Sequence, residues 1–193
     1  MRGIVATAEI LLLAQFLMNA VVFRHHVSRV AGTMLERACE RYLERSETTV
    51  EQFCRLADHD LLVVLGETVP ELGRRIETRD LYKRALWVGL DAIPTSIVDV
   101  DHEAALAAEC EIADRVGIDR ESVIVDIPPR PGLRESETTV VVDDVPQRLE
   151  DASQLVSGLR AAERNRWRLG VYCPVVHRMA VADAGRDVLA ILR

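Results

Sequence analysis

The chain is expected to be an α+β protein, an N-terminal helical segment followed by a ferredoxin-like βαββαβ domain, and three observations predict it. Roughly the first 80 residues carry apolar side chains at helical spacing with charges interleaved between them. From Leu86 onward short β-branched runs bounded by Pro, Gly and Asp take over. Helical stretches then separate those runs in the order β-α-β-β-α-β, the order of a split βαβ with both helices on one face of an antiparallel sheet. The change of period sets a boundary near residues 86–94, dividing a helical region, 1–88, from an α+β domain, 89–193.

The first element is the longest apolar run, Thr7 to Arg29, read as a helix over 4–24. At about 100° per residue, Gln15, Asn19, Val22, His26 and Arg29 share one narrow sector, while Leu12, Leu13, Phe16, Leu17 and Met18 cover most of the rest. That pattern is a core helix with one polar stripe. Buried polar groups are costly unless they meet each other, a ligand or water, so the stripe is where a site is sought first, against the alternative that it only hydrogen-bonds to neighbouring helices. The run also imitates a signal peptide or a membrane span. Glu9, Gln15 and Asn19 argue against both, since a carboxylate near the centre of a span costs roughly 2.5–3.5 kcal/mol.

Helices over 26–45, 49–65 and 68–79 follow. Glu36, Arg37, Glu40, Arg41, Glu44 and Arg45 interleave charge as a solvated face does, and Thr49 stands where an N-cap belongs, ahead of Gln52. The first helix is the most apolar yet starts with almost no lead-in, so the bundle is expected to be incomplete. One flank of residues 10–23 is then exposed and adheres to another copy, giving a homo-oligomer. In the second half, strands are expected at 96–100, 122–127, 138–142 and 169–173, with helices at 102–116, 148–166 and 176–192. Pro128-Pro129-Arg130-Pro131-Gly132 makes a stiff loop between the middle strands.

Composition narrows the function. With 193 residues, 49% hydrophobic, the chain can bury a core, and a net charge of −7 disfavours duplex nucleic acid as partner. Lys83 is the only lysine among 24 basic residues. Cys39, Cys54, Cys110 and Cys173 form no C-x-x-C pair, which points to reduced thiols in a cytoplasmic protein and to no structural zinc. His59-Asp60 has the letters of the HD metal dipeptide, with His25 and His26 upstream and Asp91 or Asp99 downstream. It is expected only to begin a helix, because Leu61 to Leu65 continues as core instead of turning into small residues. His25 and His26, adjacent on one helix, are expected to point about 100° apart and so not to share a metal, and His102 and His177 are expected to be exposed. Arg79, Lys83 and Arg84 cluster three cations around Tyr82 at the junction of the halves. Such a group can grip phosphates, or serve as a solvated junction with Arg79 paired to Glu77 or Asp80.

Several of these stretches together resemble one family. Arg2-Gly3-Ile4 through Ala8-Glu9 and Leu11-Leu12-Leu13-Ala14, then Met18, Val22-Phe23 and His25, look like the segment after the catalytic region of HD-domain phosphohydrolases related to deoxynucleoside triphosphate triphosphohydrolases. Arg79-x-Leu81-Tyr82-Lys83-Arg84 resembles a later signature of that group. Glu109-x-Glu111-Ile112-Ala113, Asp126-Ile127-Pro128 and Trp167-x-x-x-Val171-Tyr172 resemble its prokaryotic C-terminal domain.

The resemblance implies a nucleotide-binding chain and, by position, its phosphate contacts: His25, Arg79, Lys83 and Arg84. It also implies a degenerate substrate face of Gln15, Asn19, Phe23 and His26, where relatives carry an arginine and tyrosines. The family's H…HD…D metal set lies upstream of this segment. The chain is therefore expected to be the second half of such an enzyme, with no catalytic or metal-binding residue and no cofactor of its own, a divalent metal such as magnesium or manganese coming only with an intact HD region. Two readings follow: a non-catalytic module that binds a dNTP or GTP and mediates assembly, or half of a split, active dNTP phosphohydrolase completed by a separate HD segment.

Overall fold

The computed structural model describes residues 2–131, 137–142 and 144–191. Nearly all of its first half is helical. Helix α1, Arg2–Met18, runs into a π-helical turn, Asn19–Phe23, and after Arg24 the chain turns into α2, His26–Arg45. The expected single helix over 49–65 is two: α3, Val50–Phe53, and α4, Asp58–Thr68. Thr49 and Gln52 form the capping box at the start of α3, with Thr49 Oγ1 accepting from the Gln52 N–H and Gln52 Oε1 from the Thr49 N–H. A new start four residues later separates α4. Helix α5, Pro70–Glu77, has its proline in the first turn, where the missing N–H costs nothing.

The fold class is α+β, with small antiparallel sheets, but the split βαβ arrangement is not what the second half forms. Strand β1, Lys83–Val88, which no alternation in the sequence marks, pairs antiparallel with β5, Leu169–Cys173, which pairs on its other side with β2, Ile124–Asp126, to give the order β1-β5-β2. The strand expected at 96–100 is a 3-10 turn, Thr95–Asp99, entered from Pro94, whose Ile97 plugs the core. The strand expected at 138–142 is β3, Thr139–Val142, which pairs not with the sheet but with β4, Val145–Arg148, in a separate hairpin. Helix α6, His102–Val116, lies where expected, capped by Asp101 Oδ1 on the Ala104 N–H and ended by Gly117 at φ 73°. The stretch 148–166 is α7, Leu149–Ala152, and α8, Gln154–Arg166. The last helix, α9, covers Arg178–Ile191 after a 3-10 turn at Val175–His177. Pro128–Pro131 forms no helix or strand; Gly132, the end of the predicted loop, lies outside the described residues.

Alternation along the strands places helices on both faces of the sheet. Leu86, Val125 and Val171 face α6 and α9, together with Ile112, Val181 and Val188. Ile124 and Tyr172 face the other way, toward Val30, Met34 and Tyr42 of α2, Leu65 of α4 and Leu72 of α5. A third cluster joins α1 to α7 and α8 through Leu12, Phe16, Leu149, Val156 and Leu159.

Helix α1 departs from the expected core helix. Leu12 and Phe16 are buried, but Ile10, Leu11, Val21 and Phe23 are 63–70% exposed, so the apolar flank within residues 10–23 faces outward. Among the described residues Val5–Phe23 is also the one helical stretch long and apolar enough to cross a membrane, on length and composition alone.

Candidate functional site: an arginine and histidine cleft

The polar stripe drawn on a single helix does not survive the π-turn. The Arg24 N–H donates to the Asn19 carbonyl at 2.8 Å, and His25 is extended (φ −62°, ψ 136°) as the N-cap of α2, so His26 and Arg29 lie on a new helix. The 100° rule therefore fails for the histidine pair: the two rings stand 4.4 Å apart, centroid to centroid, and both line one cavity.

That cavity, of about 250 Å³, is lined by Ala20, Arg24, His25, His26, Arg84, Trp87, Glu163, Arg166 and Arg168. Three parts of the chain supply the cations. Arg24 and the histidines come from the α1–α2 junction, Arg84 from β1, and Arg166 and Arg168 from the end of α8 and the turn into β5. Its single carboxylate is Glu163, 2% exposed and paired with Arg24. Burial first, then His25 and Arg84, hold the His26 imidazole below its ordinary value.

The floor is stiff. Asp126 Oδ2 accepts from Arg29 Nη2 at 2.5 Å and from the Tyr172 hydroxyl at 2.8 Å, while Arg29 Nη1 donates to the Arg168 carbonyl at 2.7 Å. Burial, then the neighbouring Asp126 carboxylate, pushes the Tyr172 phenol well up, so it remains a donor. Tyr172 folds back over Gly170, where an added Cβ would stand 2.3 Å from the phenol oxygen. The guanidinium carbons of Arg29 and Arg84 lie 4.7 and 5.4 Å from the centroid of the Trp87 ring.

Of the sequence-predicted residues, the structure brings His25, His26 and Arg84 together. Arg79 sits at φ 59° in an exposed turn after α5, where Asp80 pairs with Arg75 instead. Lys83 precedes Arg84 on β1 and so faces the opposite side of the strand. Gln15 and Asn19 are half-buried on α1 and the π-turn, and Phe23 is exposed; none of the three lines the cleft. Arg24, Trp87, Glu163, Arg166 and Arg168 escaped the sequence reading, though arginines at alternate positions in Arg164-Asn165-Arg166-Trp167-Arg168 are a signal in an acidic chain.

His59 and Asp60 stand on the exposed first turn of α4, 3.0 Å apart, with Asp60 accepting from the Ala57 N–H. Among the described residues no group of three or more His, Cys, Asp or Glu side chains is placed to hold a metal ion. What the cleft can do is bind an anion by charge-assisted hydrogen bonds from several directions.

The sequence matches the family described as HD associated region over residues 1–193. It is also similar to an uncharacterised protein of Methanocaldococcus jannaschii, 28% identical over 177 residues, which are 90% of this chain and 38% of that protein. The chain thus spans well under half the length of this relative.

Proposed function

The chain belongs to the HD-associated region family, and on that premise we propose that it is the non-catalytic portion of an HD-superfamily phosphohydrolase related to deoxynucleoside triphosphate triphosphohydrolases. Its part is to bind the phosphates of a nucleotide, a dNTP or GTP, and to mediate assembly, in a cytoplasmic protein. The observation that supports this is the cleft: four arginines and two histidines around one carboxylate already paired with Arg24, in a chain of net charge −7. Each charge-assisted contact to a phosphate oxygen contributes roughly 1.5–3 kcal/mol. The exposed flank of α1 favours the second reading, in which a separate HD-bearing segment covers that flank and the two form an active, metal-dependent enzyme. Arg79 and Lys83 belong to the proposal as a separate, exposed phosphate contact.

Calorimetric titration of the purified chain with dGTP and GTP tests it. Binding is expected without release of triphosphate or phosphate in the presence of manganese, and Arg84→Ala with Arg168→Ala is expected to weaken it at least tenfold, about 1.4 kcal/mol. Unchanged binding by that double variant would overturn the cleft. Metal-dependent turnover lost in His59→Ala would instead restore a metal site at His59-Asp60.

A further inference from the structure

We propose that this cleft reads the polyphosphate chain of its ligand and is indifferent to the base, so that inorganic triphosphate binds as well as any dNTP. The inference rests on the phosphate-binding reading above and goes beyond it in naming what is recognised. Size is the first argument. At about 250 Å³ the cavity falls below the roughly 300–1,000 Å³ of pockets that enclose a whole drug-sized ligand. It has room for phosphoryl groups, with the nucleoside left outside.

The chemistry of the wall is the second argument. A base is told from another base by a pattern of donors and acceptors along its edge, and a site that discriminates must offer both. Guanidinium offers five N–H donors and no acceptor, and an indole N–H is donor only. The one carboxylate, Glu163, is committed to Arg24, and the Arg168 carbonyl is taken by Arg29. The imidazoles of His25 and His26 have an acceptor nitrogen when neutral and none when protonated, and beside an anion they serve as donors. A wall of donors complements phosphate oxygens, which only accept.

Stacking is the remaining way to hold a base; what the His25 and His26 rings or a guanidinium plane can offer is the same for every base, and Trp87 is covered. Trp87 is the sole aromatic carbocycle in the lining, and the guanidiniums of Arg29 and Arg84 already lie over its ring at 4.7 and 5.4 Å. A base would have to displace one of them. The cations, by contrast, come from three parts of the chain, the α1–α2 junction, β1 and the α8–β5 turn. Several phosphoryl groups in a row present more acceptor oxygens to these arginines than a single phosphate does.

The test is calorimetric titration of the whole chain with inorganic triphosphate, each of the four dNTPs, dAMP and deoxyadenosine, at one pH and salt concentration. Triphosphate and the dNTPs are expected to bind within about threefold of one another, dAMP at least about tenfold more weakly, and deoxyadenosine not at all. Arg84→Ala should weaken the five tight ligands by a common factor, with its thermal unfolding compared to the wild type to separate this from misfolding. Arg84→Lys, which keeps the charge but not the fork, should recover part of the loss. If the dNTPs bind and triphosphate does not, or if the dNTPs differ among themselves by more than about tenfold, the base is read and this inference falls while the phosphate-binding function stands. If no ligand binds, both fall.

Discussion

Glu109→Gln should flatten a dependence of stability on pH that Glu109 imposes on the fold. Glu109 lies on α6, 4% exposed, and its Oε1 accepts from Arg37 Nη2 at 2.7 Å and from the Val125 N–H at 2.8 Å. Burial pushes its carboxyl up to about 7 from an ordinary 4.5; Arg37, the Val125 N–H and Arg41 pull the other way without prevailing. The folded protein therefore holds a proton that the unfolded chain has already released. Stability from this group is fully present below about pH 4.5 and is lost as pH rises toward and through 7. A window of about two and a half pH units at about 1.4 kcal/mol per unit gives a loss of roughly 3 kcal/mol. Glutamine stands in for the protonated acid, and in both cases Arg37 keeps Glu40 at 2.8 Å as its counter-charge. Urea unfolding of both proteins from pH 5 to 8 isolates the effect in their difference, because the other titrating groups are shared. The variant should become the more stable of the two by roughly 2.5 kcal/mol at pH 8, relative to pH 5. A difference constant across that range would refute the reasoning, and so would a wild type that gains on the variant as pH rises. The latter result would mean that attraction to Arg37 outweighs burial.

Three further outcomes are expected. Gly73→Ala should cost at least about 2 kcal/mol, since its Cβ would stand 2.5 Å from the Leu65 carbonyl carbon and oxygen and one of α4 and α5 must shift; thermal unfolding unchanged to within 1 °C would contradict it. The isolated chain should sediment as a dimer or larger at tens of micromolar, and Ile10→Glu with Val21→Glu should make it monomeric; a wild type that is monomeric throughout removes self-association through α1. Anion binding should take up a proton at His26, whose imidazole burial, His25 and Arg84 hold low and which a phosphate would raise, so affinity for triphosphate should rise as pH falls from 8 to 6 by more in the wild type than in His26→Gln; equal pH dependence in the two proteins would rule it out.

The elements readable in the sequence are those whose ends carry their own chemistry. Helix α6 has Asp101 to start it and Gly117 to stop it, and both act as their types predict. The segment 96–100 has the composition of a strand, yet Pro94 precedes it and Ile97 is needed as a plug at 0% exposure, so packing overrides propensity. Strand β1 was hidden for the opposite reason. Its Lys-Arg-Ala-Leu-Trp-Val lacks alternation because helices cover both faces of the sheet it joins. The fold of the histidine pair depended on a π-turn that no local signal announces, and that turn is what makes His25 and His26 neighbours in one cavity.

The rest of the cleft was beyond local reading because it is made by contacts between distant parts of the chain. Arg24 reaches Glu163 and Arg29 reaches the Arg168 carbonyl, each across 139 positions, and Arg29 reaches Asp126 across 97. Beside them α1 is clamped on α8: Leu12 and Phe16 are buried against Val156 and Leu159, the Ser153 hydroxyl donates to Glu9, and the Arg166 guanidinium carbon lies 5.4 Å from the centroid of the Phe16 ring. The same helix therefore has two duties on two sides. Its α8 side holds Arg24 and Arg166 in the cleft, and its other side leaves Ile10, Leu11 and Val21 uncovered.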